Sequence, residues 1–252
     1  MPWEAILLMM MGSLRAVGVV MALPTLGGQP LPPMIRVALS FLIGGLLASV
    51  TPGGGAPPPE NMGALGISAL HEVLLGLAMG LLMRMVFATA ELAGRMIAGE
   101  IGLMAAPGFD APVPAQEPLP AFMGLFAGMM FFLLHAHEGV LAAFARSFVL
   151  APPGAGGLNP AAAETMVKGV SALLETALRM SAPFIALNFV ITMGFAILGR
   201  AVPKMNVFIL SYAMRSIMGF TLLAGAGALF ARYLSVAFDR LPWTMLELVA
   251  RR

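Results

Sequence analysis

Apolar residues dominate six long segments of the chain, and prolines, glycines or polar residues separate each segment from the next. These runs are much longer than ordinary β-strands and approach or exceed the roughly 20 residues that an α-helix needs to cross a bilayer. The sequence therefore predicts an all-α protein of the membrane type, built from long helices and hairpins. The predicted helices are Ala5–Leu23, Met34–Val50, Leu65–Met104, Ala121–Leu150, Ala161–Gly199 and Val207–Ala237.

Three proline- and glycine-rich stretches are predicted to be loops, at residues 51–61, 105–120 and 152–160. Proline lacks the backbone N–H that a helix interior requires, so these stretches must interrupt the helices. The stretch at 105–120 is unusual because irregular backbone at membrane depth persists only when protein or a wet cavity surrounds it. The segments of about 40 residues are each expected to be one long bent helix or two helices. At 252 residues, a single domain over residues 1–252 is expected.

The composition supports a membrane protein and excludes several other classes. Hydrophobic residues make up 60% of the chain and charged residues only 10%, whereas soluble chains are usually about 45–50% apolar. The chain has no cysteine, which excludes disulfides and thiolate metal sites. Its net charge of +2 is small and the basic residues are scattered, so no nucleic-acid partner is expected.

Charged residues lie inside the apolar segments, where lipid would be an unfavourable neighbour. A charge at the bilayer centre costs at least about 2.5 kcal/mol on insertion scales, so such residues face protein or water. Three pairs place an acid four residues before a base, the favourable order along a helix, and a structural ion pair is the preferred interpretation of each over a proton relay. They are Glu91/Arg95, Glu164/Lys168 and Glu175/Arg179.

Arg15, Arg84 and Arg215 lack such a local acid and are expected to find acids or carbonyls on other helices or other chains. The family resemblance given below implies, in addition, that most of the helical charges lie at subunit interfaces or along a water-filled conduit. The interface charges predicted on that basis are Arg15, Arg84, Glu91, Arg95, Glu175, Arg179 and Arg215.

The string H-A-H-E at His135–Glu138 is the best candidate for a metal or catalytic site, and it is a poor one. On a continuous helix, His135 and His137 would point about 200° apart and could not share one ion. No nucleophile–base spacing or phosphate-binding loop is evident either. We expect no enzyme activity, no metal and no cofactor.

Two further patterns concern helix packing. Glycines recur at a spacing of four in Gly76/Gly80 and Gly124/Gly128, which lets helix backbones approach closely. Methionine is abundant, with 22 residues, and suits surfaces that repack around varied partners. Most of these methionines, Met79, Met83 and Met85 included, are expected simply to fill the core.

The string G-R-A-V-P-K-M-N-V-F-I-L carries the distinctive positions Arg200, Pro203, Asn206 and Phe208. Further distinctive strings lie at His71–Gly80, Arg146–Gly154 and Ala182–Gly194. In content and order these strings resemble the FliR family of type III secretion export-gate subunits. Two departures affect partner contacts: Lys204 replaces the usual glutamine, and H-A-H-E-G replaces N-G-H-H-L, of which only His137 is clearly kept.

The resemblance implies a non-enzymatic subunit that helps to form and plug the conduit for unfolded flagellar subunits. It implies assembly with FliP and FliQ, contact with FlhB and FlhA, and a place in the bacterial inner membrane at the flagellar basal body. In the family a loop plugs the conduit, and by position it corresponds to Leu103–Asp110 here. The predicted plug residues are Leu103, Met104, Pro107, Gly108, Phe109 and Asp110, with Phe109 facing the pore.

Three alternatives remain open from the sequence. An injectisome subunit of the same family would have much the same pattern, and the signature at Arg200–Phe208 favours the flagellar system. Broken helices and intramembrane charges would also suit a small-molecule secondary transporter, although internal repeats are not evident. An intramembrane enzyme would need a converging acid–base or metal set, which His135, His137 and Glu138 do not provide.

Overall fold

Eight helices make up most of the chain that the structure, a computed structural model, describes. The described residues are 2–22, 32–50, 61–103, 117–154, 157–202, 204 and 206–249. Within them there is no strand, only an isolated antiparallel bridge between Leu158 and Val249, so the all-α prediction is confirmed. The helices are α1 Pro2–Met21, α2 Pro33–Val50, α3 Met62–Glu100, α4 Pro118–Leu133, α5 Ala136–Leu150, α6 Ala162–Ala201, α7 Val207–Gly225 and α8 Gly227–Glu247.

The four longest predicted segments differ in whether they form one helix or two. Helix α3 runs unbroken for 39 residues despite its glycines, and α6 runs for 40 residues with Pro183 inside it. The fourth segment is instead two helices, α4 and α5, which meet at an angle of 71°. The sixth segment is also two helices, α7 and α8, and α8 continues ten residues beyond the predicted end at Ala237, to Glu247.

The chain forms two compact units, each assembled from separate stretches of sequence. The first contains Met1–Phe87, Phe131–Ala172 and Val236–Arg252, and the second contains Ala88–Met130 and Leu173–Ser235. The prediction of one domain over residues 1–252 stays a prediction.

In the first unit, glycines bring helix α1 into backbone contact with its neighbours. A Cβ atom added to Gly12 would lie 2.5 Å from the carbonyl oxygen of Gly44 on α2. On α3, a Cβ atom added to Gly76 would lie 2.0 Å from the carbonyl oxygen of Arg15, and one added to Gly80 would lie 2.2 Å from that of Gly18. These distances are far too short for a side chain, so the predicted packing role of Gly76 and Gly80 is confirmed.

An aromatic cluster forms the other part of the first unit's core. The ring centroids of Phe87, Phe131 and Phe238 lie 5.4–5.5 Å apart in edge-on and tilted orientations, which favour aromatic pairs. Met79 and Met83 are fully buried, so their predicted role as core filler is confirmed.

The second unit contains an apolar groove at the proline of α6. The rings of Phe184 and Phe230, which are the sequence neighbours of Pro183 and Leu229, stack with their centroids 6.3 Å apart. The groove has a volume of about 570 Å³. Its lining includes Pro183 and Leu187 from α6, Met218 and Leu222 from α7, and Leu229 from α8.

Three described helices are long and apolar enough to span a membrane: α3, α6 and α7. The bent pair α4 and α5 would make a fourth if it crosses as one span. In α6 and α7 only 11% of the most apolar window is buried within the chain, compared with 50% in α3. Since so much apolar surface faces outward, the chain is a membrane protein whose α6 and α7 are covered by lipid or by other apolar surfaces.

Candidate functional site

A buried ion pair lies at the centre of the first unit. Arg15 of α1 and Glu72 of α3 both have side chains that are 0% exposed. The Arg15 Nε atom donates to Glu72 Oε2 at 2.6 Å, and Nη2 donates to Glu72 Oε1 at 3.0 Å. This two-point geometry is the strongest form of the arginine–carboxylate pair. Arg15 thus finds its acid on another helix, as the sequence predicts.

The remaining donors of Arg15 bind the end of helix α5. Nη2 also donates to the carbonyl oxygen of Ala151 at 2.9 Å, and Nη1 donates to the Ser147 hydroxyl at 3.2 Å. The Phe148 ring lies under the guanidinium, 4.5 Å from Cζ to the ring centroid. The Gly154 amide donates to Glu72 Oε1 at 3.0 Å, which fixes the turn that follows α5.

This enclosure corrects one prediction. A guanidinium that is fully buried inside its own chain has no surface to present to another subunit, so we exclude Arg15 from the interface charges. Glu72, Ser147 and Gly154 were not predicted as partners. Glu72 stands in the family-like string H-E-V-L-L-G, the one signal that could have found it.

In the second unit, helix α3 ends in a tight turn directly before the predicted plug. Gly102 has a φ of +78°, the left-handed conformation that commonly ends a helix. The Leu103 amide donates back to the carbonyl oxygen of Ala98 at 2.8 Å, which is the six-residue bond of a Schellman motif. We call residues Glu100–Leu103 the exit turn.

One face of α7 binds the exit turn. Tyr212, Ser216 and Gly219 share this face because they are spaced by four and three residues. The Tyr212 hydroxyl donates to the carbonyl oxygen of Gly102 at 2.5 Å, and the Ser216 hydroxyl donates to that of Ile101 at 3.0 Å. At Gly219, an added Cβ atom would lie 2.3 Å from Cγ2 of Ile101, so this position admits no side chain.

Helix α6 adds a polar chain to the same turn. The Asn188 side-chain amide donates to the carboxylate of Glu100. The Thr192 hydroxyl lies 2.7 Å from the backbone carbonyl oxygen of Asn188 and 3.4 Å from its side-chain oxygen. Arg215 Nη2 in turn donates to Thr192 Oγ1 at 3.1 Å. The predicted interface charge Arg215 is therefore joined through two side chains to the exit turn, a link that the sequence alone did not indicate.

The far end of the predicted plug loop is also anchored in the second unit. Arg95 pairs with Glu117 at 3.5 Å, just before α4 begins. A Cβ atom added to Gly94 would lie 2.8 Å from the Cα atom of Pro120, so α4 starts in close contact with α3. Of the predicted plug residues only Leu103 lies within the described residues. Those outside are Met104, Pro107, Gly108, Phe109 and Asp110.

The other predicted charges are mainly exposed on this chain. Glu175 and Arg179 form the predicted pair at 2.6 Å, with both side chains 60% exposed, and Glu164 and Lys168 pair at 2.7 Å. Arg84 and Arg95 are exposed, whereas Glu91 is half-buried. The expected interface role of these charges stays a prediction.

The signature string forms the connection between α6 and α7. Asn206 caps α7, because its Oδ1 atom accepts a hydrogen bond from the Ile209 amide at 3.3 Å. Arg200 is exposed at the end of α6, and Phe208 is 80% exposed on the first turn of α7. Pro203 lies outside the described residues.

The two histidines are arranged differently from the prediction. His135 occupies the break between α4 and α5 with a φ of 56°, so His135 and His137 do not share one continuous helix. Their rings stack with centroids 6.0 Å apart instead of pointing in opposite directions. The part of the chain that the structure describes nevertheless contains no group of three or more metal-ligating side chains.

Comparison with known proteins gives a consistent result. A family model described as bacterial export proteins, family 1, matches residues 6–241. The chain is 28% identical over 215 residues to the flagellar biosynthetic protein FliR of Caulobacter vibrioides, covering 83% of this chain and 84% of that protein. It is 24% identical over 238 residues to FliR of Escherichia coli, covering 94% and 90%, and 27% identical over 208 residues to FliR of Bacillus subtilis, covering 80% and 78%.

Proposed function

Because the chain belongs to the bacterial export proteins, family 1, we propose that it forms part of the flagellar export gate and helps to plug the conduit for unfolded flagellar subunits. The family and its FliR relatives make the chain a component of the flagellar export apparatus. The flagellar names of these relatives favour that system over an injectisome. The gate role, the plug and the partner subunits are the parts that we propose.

The anchoring of both ends of residues 104–116 carries the proposal. The chain leaves α3 through an exit turn bound by α6 and α7, and it enters α4 beside Gly94. Gly94 and Gly102 are eight residues apart on and just beyond α3, which at the helical rise is about 12 Å. A segment fixed at two nearby points of a rigid scaffold is suited to a function at a defined place.

The outer surface of the chain supports the presence of partner subunits, and the family resemblance supplies their identity. Helices α6 and α7 present large apolar faces, yet α6 also carries the exposed pair Glu175 and Arg179. Lipid would be a costly neighbour for such charges, so we propose that FliP and FliQ cover them, with FlhB and FlhA joining the gate. The same argument applies to Arg84 on α3. We place the assembly in the bacterial inner membrane at the flagellar basal body.

Deleting Met104–Asp110 tests the plug. The deletion spares Leu103 and its bond to Ala98, so the gate is expected to assemble while cells become permeable to small ions. A membrane-potential dye reports the leak, and co-purification with FliP and FliQ reports assembly. Deleting Gly53–Pro59, which removes the same number of residues from another loop, is the control and should not cause a leak. Unchanged ion permeability in the first variant, with normal assembly, would refute the plug.

Co-purification also tests the charged surface. Reversing the exposed pair one residue at a time, as Glu175→Lys or Arg179→Glu, is expected to weaken recovery of FliP and FliQ several-fold if these charges meet partner subunits. Glu164→Lys and Lys168→Glu are matched reversals of the other pair on α6, and they report what charge reversal alone does to this helix. Equal recovery of FliP and FliQ in all four variants would argue against an interface at Glu175 and Arg179.

A further inference from the structure

We propose that Tyr212, Ser216 and Asn188 are positioning residues that hold the exit turn of α3 and thereby set the resting ion leak of the gate. The inference rests on the proposed function, because it assigns a control element to the same conduit. We call the three side chains and the exit turn the latch. All members of the latch lie within the second unit and within the described residues.

The chemistry of the helix end explains why a latch is needed. The last carbonyl groups of a helix have no partner in their own helix and take donors from side chains, neighbouring helices or water. Here Ile101 is buried, whereas Gly102 is half-buried and Tyr212 is half-exposed. The Schellman bond from Leu103 satisfies only the carbonyl of Ala98. Tyr212 and Ser216 supply donors to the two carbonyls that follow the helix, at Gly102 and Ile101.

The spacing of the latch residues on α7 fits this task closely. Gly219 lets Ile101 approach the α7 backbone, Ser216 binds the next carbonyl, and one turn further the Tyr212 ring packs on Gly102. A Cβ atom added to Gly102 would lie 2.9 Å from the Tyr212 ring. The exit turn is therefore held by shape and by two hydrogen bonds from a single helix face.

Asn188 holds the turn from a second direction. Its amide binds the carboxylate of Glu100, the last residue of α3, while Thr192 and Arg215 extend the same polar chain to α7. Helices α6 and α7 thus hold the turn together. A displacement of either helix would strain or break bonds at the point where the chain leaves α3, so the latch couples the outer helices to the exit turn.

Removing single hydroxyl groups tests the latch without removing packing. In the full gate complex, Tyr212→Phe and Ser216→Ala are each expected to raise the leak per assembled gate about two- to tenfold, the change in equilibrium that one net hydrogen bond supplies. Ser216→Thr, which keeps a hydroxyl, should restore most of the seal. A merely structural role would lower the amount of assembled gate and leave the leak per assembled gate unchanged.

Two matched control variants remove the same kinds of hydroxyl group at positions outside the latch. Tyr233→Phe alters the other tyrosine of the chain, for which the described residues provide no hydrogen-bond partner. Ser235→Ala removes a hydroxyl that bonds only within its own helix, to the carbonyl of Arg232. Both variants should leave the leak unchanged.

Hydrogen exchange at the Leu103 amide provides a readout that does not depend on the leak. In purified complexes of the chain with FliP and FliQ, Tyr212→Phe is expected to speed exchange at Leu103, because the bond to Ala98 opens more often when the turn is released. Unchanged exchange would overturn the latch, and so would faster exchange without any change in leak. If the Met104–Asp110 deletion itself caused no leak, the plug would be refuted, and exchange at Leu103 would still decide whether the latch holds the turn.

Discussion

Glu72→Gln is expected to lower the free energy of unfolding by about 3–5 kcal/mol, because it leaves the Arg15 guanidinium buried without a countercharge. The replacement keeps the size of the side chain, so the loss reports charge and hydrogen bonding and not a cavity. Unfolding of the full chain in detergent, followed by helical circular dichroism, measures the effect. A matching loss is expected for Arg15→Met, which leaves the Glu72 carboxylate and the Ala151 carbonyl oxygen without their arginine donor.

Two further variants make this prediction specific. Replacing both residues, as Arg15→Met with Glu72→Met, should cost less than the sum of the single changes, since no unpaired charge then remains in the core. Glu175→Gln breaks an exposed pair of similar geometry and should change stability by no more than about 0.5 kcal/mol. If Glu72→Gln were as mild as Glu175→Gln, the buried pair would not hold the first unit together.

Gly76→Ala is the second change with a large expected effect. The new Cβ atom would lie 2.0 Å from the carbonyl oxygen of Arg15, so α1 must move away from α3. Overpacking of this kind costs at least about 1–3 kcal/mol, and here the obstacle is backbone, which cannot turn aside as a side chain can. The shift would also disturb the ion pair at Arg15. The same unfolding measurement reports the loss.

Gly66→Ala is the control in the same helix. No described atom lies within 4 Å of the position that its Cβ atom would occupy. Alanine favours a helix over glycine by about 1 kcal/mol, so this variant should be neutral or slightly more stable. Equal destabilisation by Gly66→Ala and Gly76→Ala would mean that the crossing of α1 and α3 is looser than the structure shows.

The local pattern of the sequence accounts for the helices but not for all of their breaks. Prolines end most predicted segments near the correct residues. The break at His135 has no proline or glycine beside it, and a histidine with positive φ is not a pattern that a sequence displays. The glycines of α3 do not interrupt the helix, and Gly76 and Gly80 are sites of close packing, as their spacing predicts.

For the candidate sites, too, the sequence indicated residues in short motifs but not contacts between residues that are far apart along the chain. The family-like strings singled out Asn206 as a signature position, and the structure adds that it caps α7. The plug that begins at Leu103 stays a proposal. One such string contains Glu72 but does not pair it with Arg15, and none indicates the partners of the exit turn. Glu72 is 57 residues from Arg15, and Tyr212 is 110 residues from Gly102, so only the fold brings them together. A sequence shows that a charge needs a partner, and the structure shows which partner it has.

The distance along the chain between Arg15 and its partners has a consequence for biosynthesis. At 5–20 residues per second, Arg15 is synthesised about 3–11 s before Glu72 and about 7–27 s before Ala151. Ala151 is the last along the chain of the described residues that accept hydrogen bonds from Arg15. During that interval the first helix carries an unneutralised cation within an apolar stretch. Its stable placement in the membrane must therefore wait for α3 and α5. Helix α1 is synthesised before both of these helices but reaches its final position only after them.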